Sequence, residues 1–437
     1  MTNSTKDAAG RYVHPNGEAK RKLNIGEVLG PGLITGASDD DPSGIATYSQ
    51  AGAQFGYALG WTMLFSYPLM SVVQMISARI GRTTGHGLAG NLSRYFPKPL
   101  TYSVVALLLI ANIINIGADL GAMADAMTLL LKIPGPVFLI AFALFCALSE
   151  VFISYRRYVR ILKWLTLALF AYVITLFLVQ VPWGTALRGI VFPGFEPNAK
   201  SMTTIVAILG TTISPYLFFW QASQEAEEVQ NDRHEHPLKE DPLEGRVELK
   251  RIELDTLVGM GASNLVALAI MMTAAATLNV HGITDIQTSA QAAAALRPIA
   301  GEYAALVFAL GIVGTGLLAV PVLAGSAAYG LSEAIGRPVG LGRRPLRAKA
   351  FYATIVVATG VGALINFTPI NPIRALFWAA VVNGVVAVPV MAVMMIISTR
   401  KSIMGVFTIT PLMKVLGWLA TAVMTLAAIG MGWSILA

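Results

Sequence analysis

The sequence predicts an all-α polytopic membrane protein of eleven spans, the first ten arranged as a five-plus-five inverted repeat, with helices 1 and 6 unwound at mid-membrane. Three observations predict it: long stretches almost free of charge, basic residues gathered on one side, and two spans broken at their centres.

The charge deficit comes first. Only 13% of the 437 residues are charged and 55% are hydrophobic, whereas a soluble domain carries roughly 25% charged residues. From Trp61 to Ser77, Thr101 to Leu131 and Leu165 to Val181, the only charges are Asp119 and Asp125. Runs of ~20 apolar residues are long enough to cross a ~30 Å hydrocarbon core. The one cysteine, Cys146, sits inside an apolar run and reads as a small buried hydrophobe. The N-terminus is polar through Lys22, without the apolar core of a signal peptide.

Apolar runs and their breaks place the spans near 27–57, 59–78, 101–130, 136–153, 161–181, 201–230, 254–278, 301–331, 350–366, 375–398 and 411–436. Residues 1–25 then form a cytoplasmic tail and 26–437 a single transmembrane domain. Within it, repeat one covers about 27–181, repeat two about 201–400, and an extra helix about 411–436. With the N-terminus inside, the outside segments hold only Lys132, Arg188, Lys200, Arg297 and Arg374 of the 31 Lys and Arg residues. That asymmetry is the positive-inside pattern and would be scrambled by a miscounted span. It places the chain in an inner membrane with its C-terminus external. It also accounts for the net charge of +7 without a nucleic-acid partner. The longest inside loop, 223–253, is mainly acidic and carries His234 and His236. It reads either as a cation-attracting vestibule or as a solvated helical extension with a surface loop.

The two breaks carry the functional signal. Span one contains Gly30-Pro31-Gly32, then Ser38-Asp39-Asp40-Asp41-Pro42-Ser43-Gly44; span six contains Gly210-Thr211-Thr212-Ile213-Ser214-Pro215-Tyr216. Proline removes a backbone donor and blocks the preceding turn, and glycine tolerates non-helical geometry. Kinks of this kind also occur for purely structural reasons. A pair of them in spans one and six, however, is the pattern of an inverted repeat whose freed carbonyls converge on substrate near the midplane. Three adjacent carboxylates at membrane depth persist only beside a cavity or counter-ion.

These residues offer a hard, oxygen-only environment. The candidate metal ligands are Asp41, Ser38, Gly44, Thr211 and Ser214, with Asp39, Asp40 and Asn383 as secondary candidates. Asp41 leads because it precedes the proline at the centre of the break; Asp39 and Asp40 point elsewhere and line the entrance or hold water. Asn115, Asp119 and Asn383 read first as helix–helix hydrogen-bonding groups. No sulfur or imidazole lies in either break, and Met202, His86 and Cys146 are elsewhere. Softer transition metals are therefore disfavoured, and a cation that keeps part of its water, such as Mg²⁺, fits.

At these positions the sequence resembles the Nramp family of divalent-metal transporters, through Gly-Pro-Gly followed by Asp41-Pro42, Ser214-Pro215 in span six, and Ala324-Gly325-Ser326 in span eight. The resemblance implies a LeuT-type fold. The family's Asp-Pro-Gly-Asn and Met-Pro-His are altered here: Gly44 stands for Asn, Ser214 for Met and Tyr216 for His, and Ala122 occupies the place of a third-span acid. This pattern resembles the Nramp-related magnesium transporters of prokaryotes, which implies passive entry of Mg²⁺, with Mn²⁺ also accepted.

The expectation is thus a carrier of hydrated Mg²⁺ or Mn²⁺ as transported substrate, with no cofactor and no partner beyond the cation and the bilayer. The alternatives are a proton-coupled Mn²⁺/Fe²⁺ symporter with a divergent site and an organic-cation or amino-acid permease of the same fold. Asp39 to Asp41 argue against an anionic substrate group. No Ser-His pair, His/Cys cluster or phosphate loop at membrane depth suggests an enzyme.

Overall fold

In the computed structural model of the chain, the described residues are 5–6, 12–13, 31–153, 169–194, 196–231, 236–240, 242 and 245–436. The chain is helical throughout this region apart from one two-residue strand pair, Thr5–Lys6 with Tyr12–Val13. Among the described residues eight helices are long and apolar enough to span a membrane. The remaining three expected spans have particular reasons to differ. The first is split at its acids, the ninth is the shorter helix Lys349–Ile365, and part of the fifth lies outside the described residues.

Both breaks are present and shorter than their sequences suggest. In span one, α1 (Pro31–Asp39) and α2 (Pro42–Phe55) are separated by Asp40 and Asp41 alone. Asp41 is extended, with φ −70° and ψ 170°, and caps α2 by accepting the Gly44 N–H. Pro42 then occupies the first helical position, where its missing N–H costs nothing. Ser38 stays inside α1, and Gly44 inside α2. After α3 (Trp61–Thr84), α4 (Leu88–Tyr95), α5 (Lys98–Leu131), α6 (Gly135–Phe152), α7 (Phe170–Leu178) and α8 (Trp183–Val191), span six repeats the device. Here α9 (Ala199–Thr212) and α10 (Pro215–Asn231) are separated by Ile213 and Ser214 alone. Pro215 cannot donate to Thr211, and its ring would press on that carbonyl. Ser214 Oγ lies 2.7 Å from Gly210 O and 2.9 Å from Thr211 O, so its one hydrogen reaches the end of α9, where the proline leaves Thr211 O open.

The remaining helices are α11 (Gly245–Thr277), α12 (Ser289–Ala294), α13 (Arg297–Ala300), α14 (Ala304–Ala334), α15 (Lys349–Ile365), α16 (Pro372–Thr399), α17 (Lys401–Met404) and α18 (Pro411–Leu436). The halves interlock. Both parts of the first broken span pack on α11, and α10 packs on α3. Backbones approach closely at these crossings: a Cβ on Gly36 would lie 2.3 Å from Gly259 O, and one on Gly81 2.0 Å from Ala222 O. Only small residues permit such contact in a membrane, where van der Waals packing replaces the hydrophobic drive. By contrast, α6 and α18 expose most of their apolar surface. Cys146 is fully buried in α6.

The acidic stretch 223–253 keeps the helical extension of one reading but not its full solvation. Its two ends are helical, in α10 and α11, and its inward acids are buried rather than solvated. Arg251 Nη2 lies 2.6 Å from Glu225 Oε2 and its Nε 2.9 Å from Glu248 Oε2, while Arg82 Nη2 lies 3.1 Å from Glu248. The sequence hid this because Arg82 comes from α3, far away along the chain. His234 and four acids of this stretch (Asp232, Glu235, Asp241 and Glu244) lie outside the described residues; His236 is exposed. Breaking a buried pair strands a charge and costs about 3–5 kcal/mol. Arg251→Met should therefore lower the thermal unfolding temperature in detergent by several degrees, and an unchanged temperature would show that water already reaches these acids.

Candidate metal site

The two breaks meet. Gly44, on the first turn of α2, faces Thr211 in the last turn of α9, and a Cβ there would stand 3.0 Å from Thr211 Oγ1 and 3.3 Å from the Tyr48 ring. Just past the second break, the Tyr216 hydroxyl donates to Ser38 O at 2.9 Å and lies 3.5 Å from Asp41 Oδ2. One side chain of span six thus touches both sides of the break in span one.

Asp41 is the centre of this arrangement. It is 2% exposed, and Oδ1 accepts the Gly44 N–H at 2.6 Å while Oδ2 accepts Asn115 Nδ2 at 3.0 Å. Asn115 comes from α5, so its bond does join two helices, with the carboxylate as the acceptor. Around this core, Ser43 Oγ donates to Leu376 O of α16, and Ser326 Oγ of α14 donates to Tyr216 O. Six helices, α1, α2, α5, α10, α14 and α16, therefore fix the positions of Asp41 and Tyr216.

The other candidates are placed differently. The Ser38 hydroxyl turns back to Ile34 O, leaving only its carbonyl toward Tyr216. The Ser214 hydroxyl serves the last turn of α9. Asp39 and Asp40 turn toward Ser263 of α11. Asn383 is 1% exposed and neither end of its amide has a hydrogen-bond partner; Asp119, fully buried, has none on either oxygen. Ser263 was invisible to sequence reasoning, since a lone serine in an apolar helix carries no signal of direction. Tyr216 stood out only as a residue replacing an imidazole.

Among the described residues no three His, Cys, Asp or Glu side chains gather around one point. A cation here would meet one carboxylate, backbone and hydroxyl oxygens, and water, the donor set of a hard ion that keeps part of its hydration shell. A cavity of about 840 Å³ opens toward the end of the bundle carrying Arg374, lined by Ala46 and Gln50 of α2, Thr203 and Thr204 of α9, and Phe377 and Trp378 of α16. Ala46 lies one helical turn from Pro42.

Residues 32–434 match the sequence model described as natural resistance-associated macrophage protein-like. The chain belongs to the Nramp family. It is 30% identical over 314 residues to a divalent metal cation transporter MntH of Erwinia tasmaniensis, covering 70% of this chain and 72% of that one. The MntH of Klebsiella pneumoniae is 26% identical over 422 residues, 94% of this chain and 95% of the other. In structure, a manganese transporter of Eremococcus coleocola superposes with a TM-score of 0.73 at 19% identity, over 99% of this chain and 90% of that one. The nucleobase-cation-symport transporter Mhp1 superposes at 0.56 and 13% identity, over 93% and 92%. The architecture of this Nramp chain is the LeuT-type inverted repeat with helices 1 and 6 interrupted.

The Tyr216 hydroxyl is the bridge between the breaks, so Tyr216→Phe leaves the Ser38 carbonyl without its donor. An unpaired buried polar group costs about 1–3 kcal/mol. The variant should unfold at a lower temperature than wild type in detergent, and equal stability would mean that water takes over the bond.

Proposed function

We propose that this protein carries hydrated divalent cations across the membrane by alternating access, chiefly Mg²⁺ with Mn²⁺ also accepted, and without moving protons. The observation that carries this reading is a buried carboxylate, Asp41, set between two broken helices, whose hydrogen-bonding neighbours are amide and hydroxyl groups. The family supports the cargo class, since its relatives are named divalent metal and manganese transporters. Hardness supports Mg²⁺: a serine, Ser214, stands where the family carries a thioether, and Mg²⁺ prefers oxygen and retained water. The absence of coupling rests on Tyr216 and Ala122, which have neither an imidazole nor a carboxyl to pass a proton.

On this reading Asp41 is the central ligand. The Ser38 carbonyl and the break around Thr211 and Ser214 supply further oxygens, and Gly44 keeps the approach open. Asn383, with its free amide, turns to the hydrated cargo in another conformation. The two repeats run through about 27–181 and 201–400, in an inner membrane, with the N-terminus cytoplasmic and the C-terminus external.

Purified protein in liposomes containing a pH dye tests the proposal. Inward Mg²⁺ flux that exceeds or equals Mn²⁺ flux, with no acidification, is the expected result. Metal-driven acidification would overturn it in favour of a proton-coupled Mn²⁺/Fe²⁺ symporter, the reading closest to the named relatives. For the orientation, a membrane-impermeant reagent should label a cysteine at position 437 on intact cells and leave one at position 2 unlabelled. Equal labelling of both would require a different span count.

A further inference from the structure

Asn112, Asn115 and Asp119 share one face of α5 and are fully buried, yet each carries oxygen that nothing satisfies. The two amides are informative because only one end of each is idle. Asn115 Nδ2 donates to Asp41 Oδ2 at 3.0 Å, and Asn112 Nδ2 donates to Leu323 O of α14 at 2.9 Å. Among the described residues neither Asn112 Oδ1 nor Asn115 Oδ1 has a hydrogen-bond partner. Every idle atom among the buried side chains of α5 is thus an acceptor. A carboxyl such as Asp119 has a second option, taking up a proton. An amide does not titrate, so its oxygen needs a donor from outside the protein.

Water held by a cation is the complementary donor. Its oxygen faces the ion, so it has only hydrogens to give. The position fits as well as the chemistry. The two ends of an amide are about 2.3 Å apart, so Asn115 Oδ1 lies no more than about 5.3 Å from Asp41 Oδ2. A Mg–O distance of about 2.1 Å and a hydrogen bond of about 2.8 Å let one water of an ion on Asp41 span that gap. Asn112 stands one turn further along α5, about 4.5 Å toward Lys98. The cavity opens at the other end, near Arg374, where Pro372 shares a hollow with Asp125 and Thr128 of α5. For an ion entering by the cavity, Asn112 therefore lies beyond Asp41.

We propose that Asn115 and Asn112 set the carrier's preference for a cation that keeps its water, by accepting hydrogen bonds from that water. Asn115 acts while the ion rests on Asp41, and Asn112 as the ion leaves toward the Lys98 end of α5. The inference rests on the proposed hydrated cargo and places part of its selectivity on α5, outside both breaks. Ser214 only withholds a soft ligand, whereas these two amides reward a retained shell. Mg²⁺ gives up water more reluctantly than Mn²⁺, so it gains more from acceptors at this distance.

Full-length protein in liposomes provides the test, with Mg²⁺ and Mn²⁺ uptake measured singly and in competition. Asn112→Leu nearly keeps the side-chain shape and removes the acceptor without touching Asp41. It should lower the Mg²⁺/Mn²⁺ ratio at least threefold, mainly through slower Mg²⁺ entry; Asn112→Ala carries the same expectation should the leucine variant fail to fold. Asn112→Asp cannot donate to Leu323 O but keeps acceptor oxygens, so it should hold the ratio within about a factor of two of wild type. A role limited to tying α5 to α14 predicts instead that Asn112→Leu and Asn112→Asp behave alike. Asn115→Leu should lower the ratio too, on top of a loss common to both ions from the freed Asp41 carboxylate. Equal loss of both ions in Asn112→Leu, or one shared ratio in Asn112→Leu and Asn112→Asp, overturns this inference, while Mg²⁺ transport by wild type keeps the cargo reading intact. Wild type that carries Mn²⁺ but no Mg²⁺ sinks both.

Discussion

Asp41→Ala is expected to bring Mg²⁺ and Mn²⁺ uptake in liposomes down to the level of protein-free vesicles. The substitution removes the one carboxylate that both breaks address, through the Gly44 amide, Asn115 and Tyr216. It also removes the cap of α2, which costs about 0.5–2 kcal/mol, so loss of transport alone would be ambiguous. Asp41→Asn separates the effects. An asparagine at that position still accepts the Gly44 N–H and still caps the helix, but it carries no charge toward the ion. It should unfold close to wild type and transport as poorly as the alanine variant. Flux within a factor of two of wild type in the Asn variant would exclude Asp41 as the central ligand.

The second large effect concerns selectivity. Ser214→Met should raise the preference for Cd²⁺ and Mn²⁺ over Mg²⁺ by about tenfold or more, equivalent to ~1.4 kcal/mol, because a thioether favours softer ions. The Ser214 hydroxyl bonds only to the last turn of α9, so its loss breaks no hydrogen bond to Asp41 or Tyr216. The sequence suggests pairing this change with Gly44→Asn, to restore the family's motif. The structure argues against that pair: a Cβ at position 44 would press on Thr211 and the Tyr48 ring. The single substitution is the clean test, read as competition of Cd²⁺ against Mg²⁺ uptake. An unchanged ratio would count against a hard site.

Much of this was legible along the chain because the physics is local. Pro42 and Pro215 break helices by removing their own donors, whatever surrounds them, and both breaks lie where those residues place them. Their extent was not legible. Ser38, Gly44 and Thr211 remain helical because back-bonding and capping hold the helix to within two residues of each proline, and these bonds depend on side-chain rotamers. The burial of Glu225 and Glu248 was misjudged for a related reason. Acidity suggests solvent unless the partners, here Arg82 and Arg251, can be seen folding onto the same spot.

By itself the sequence determined that the chain lives in a membrane, that spans one and six are interrupted, and that Asp41 lies at the first interruption. Each follows from bonding within a few residues or from the cost of charge in hydrocarbon. Only the tertiary structure decided that Tyr216 crosses to Ser38 and Asp41, that Asn115 holds the carboxylate from α5, and that Asp39 and Asp40 turn to Ser263. Those are contacts between residues from 74 to 224 positions apart, and which of them form depends on how α11 and α10 pack against the broken helix, which no local pattern encodes.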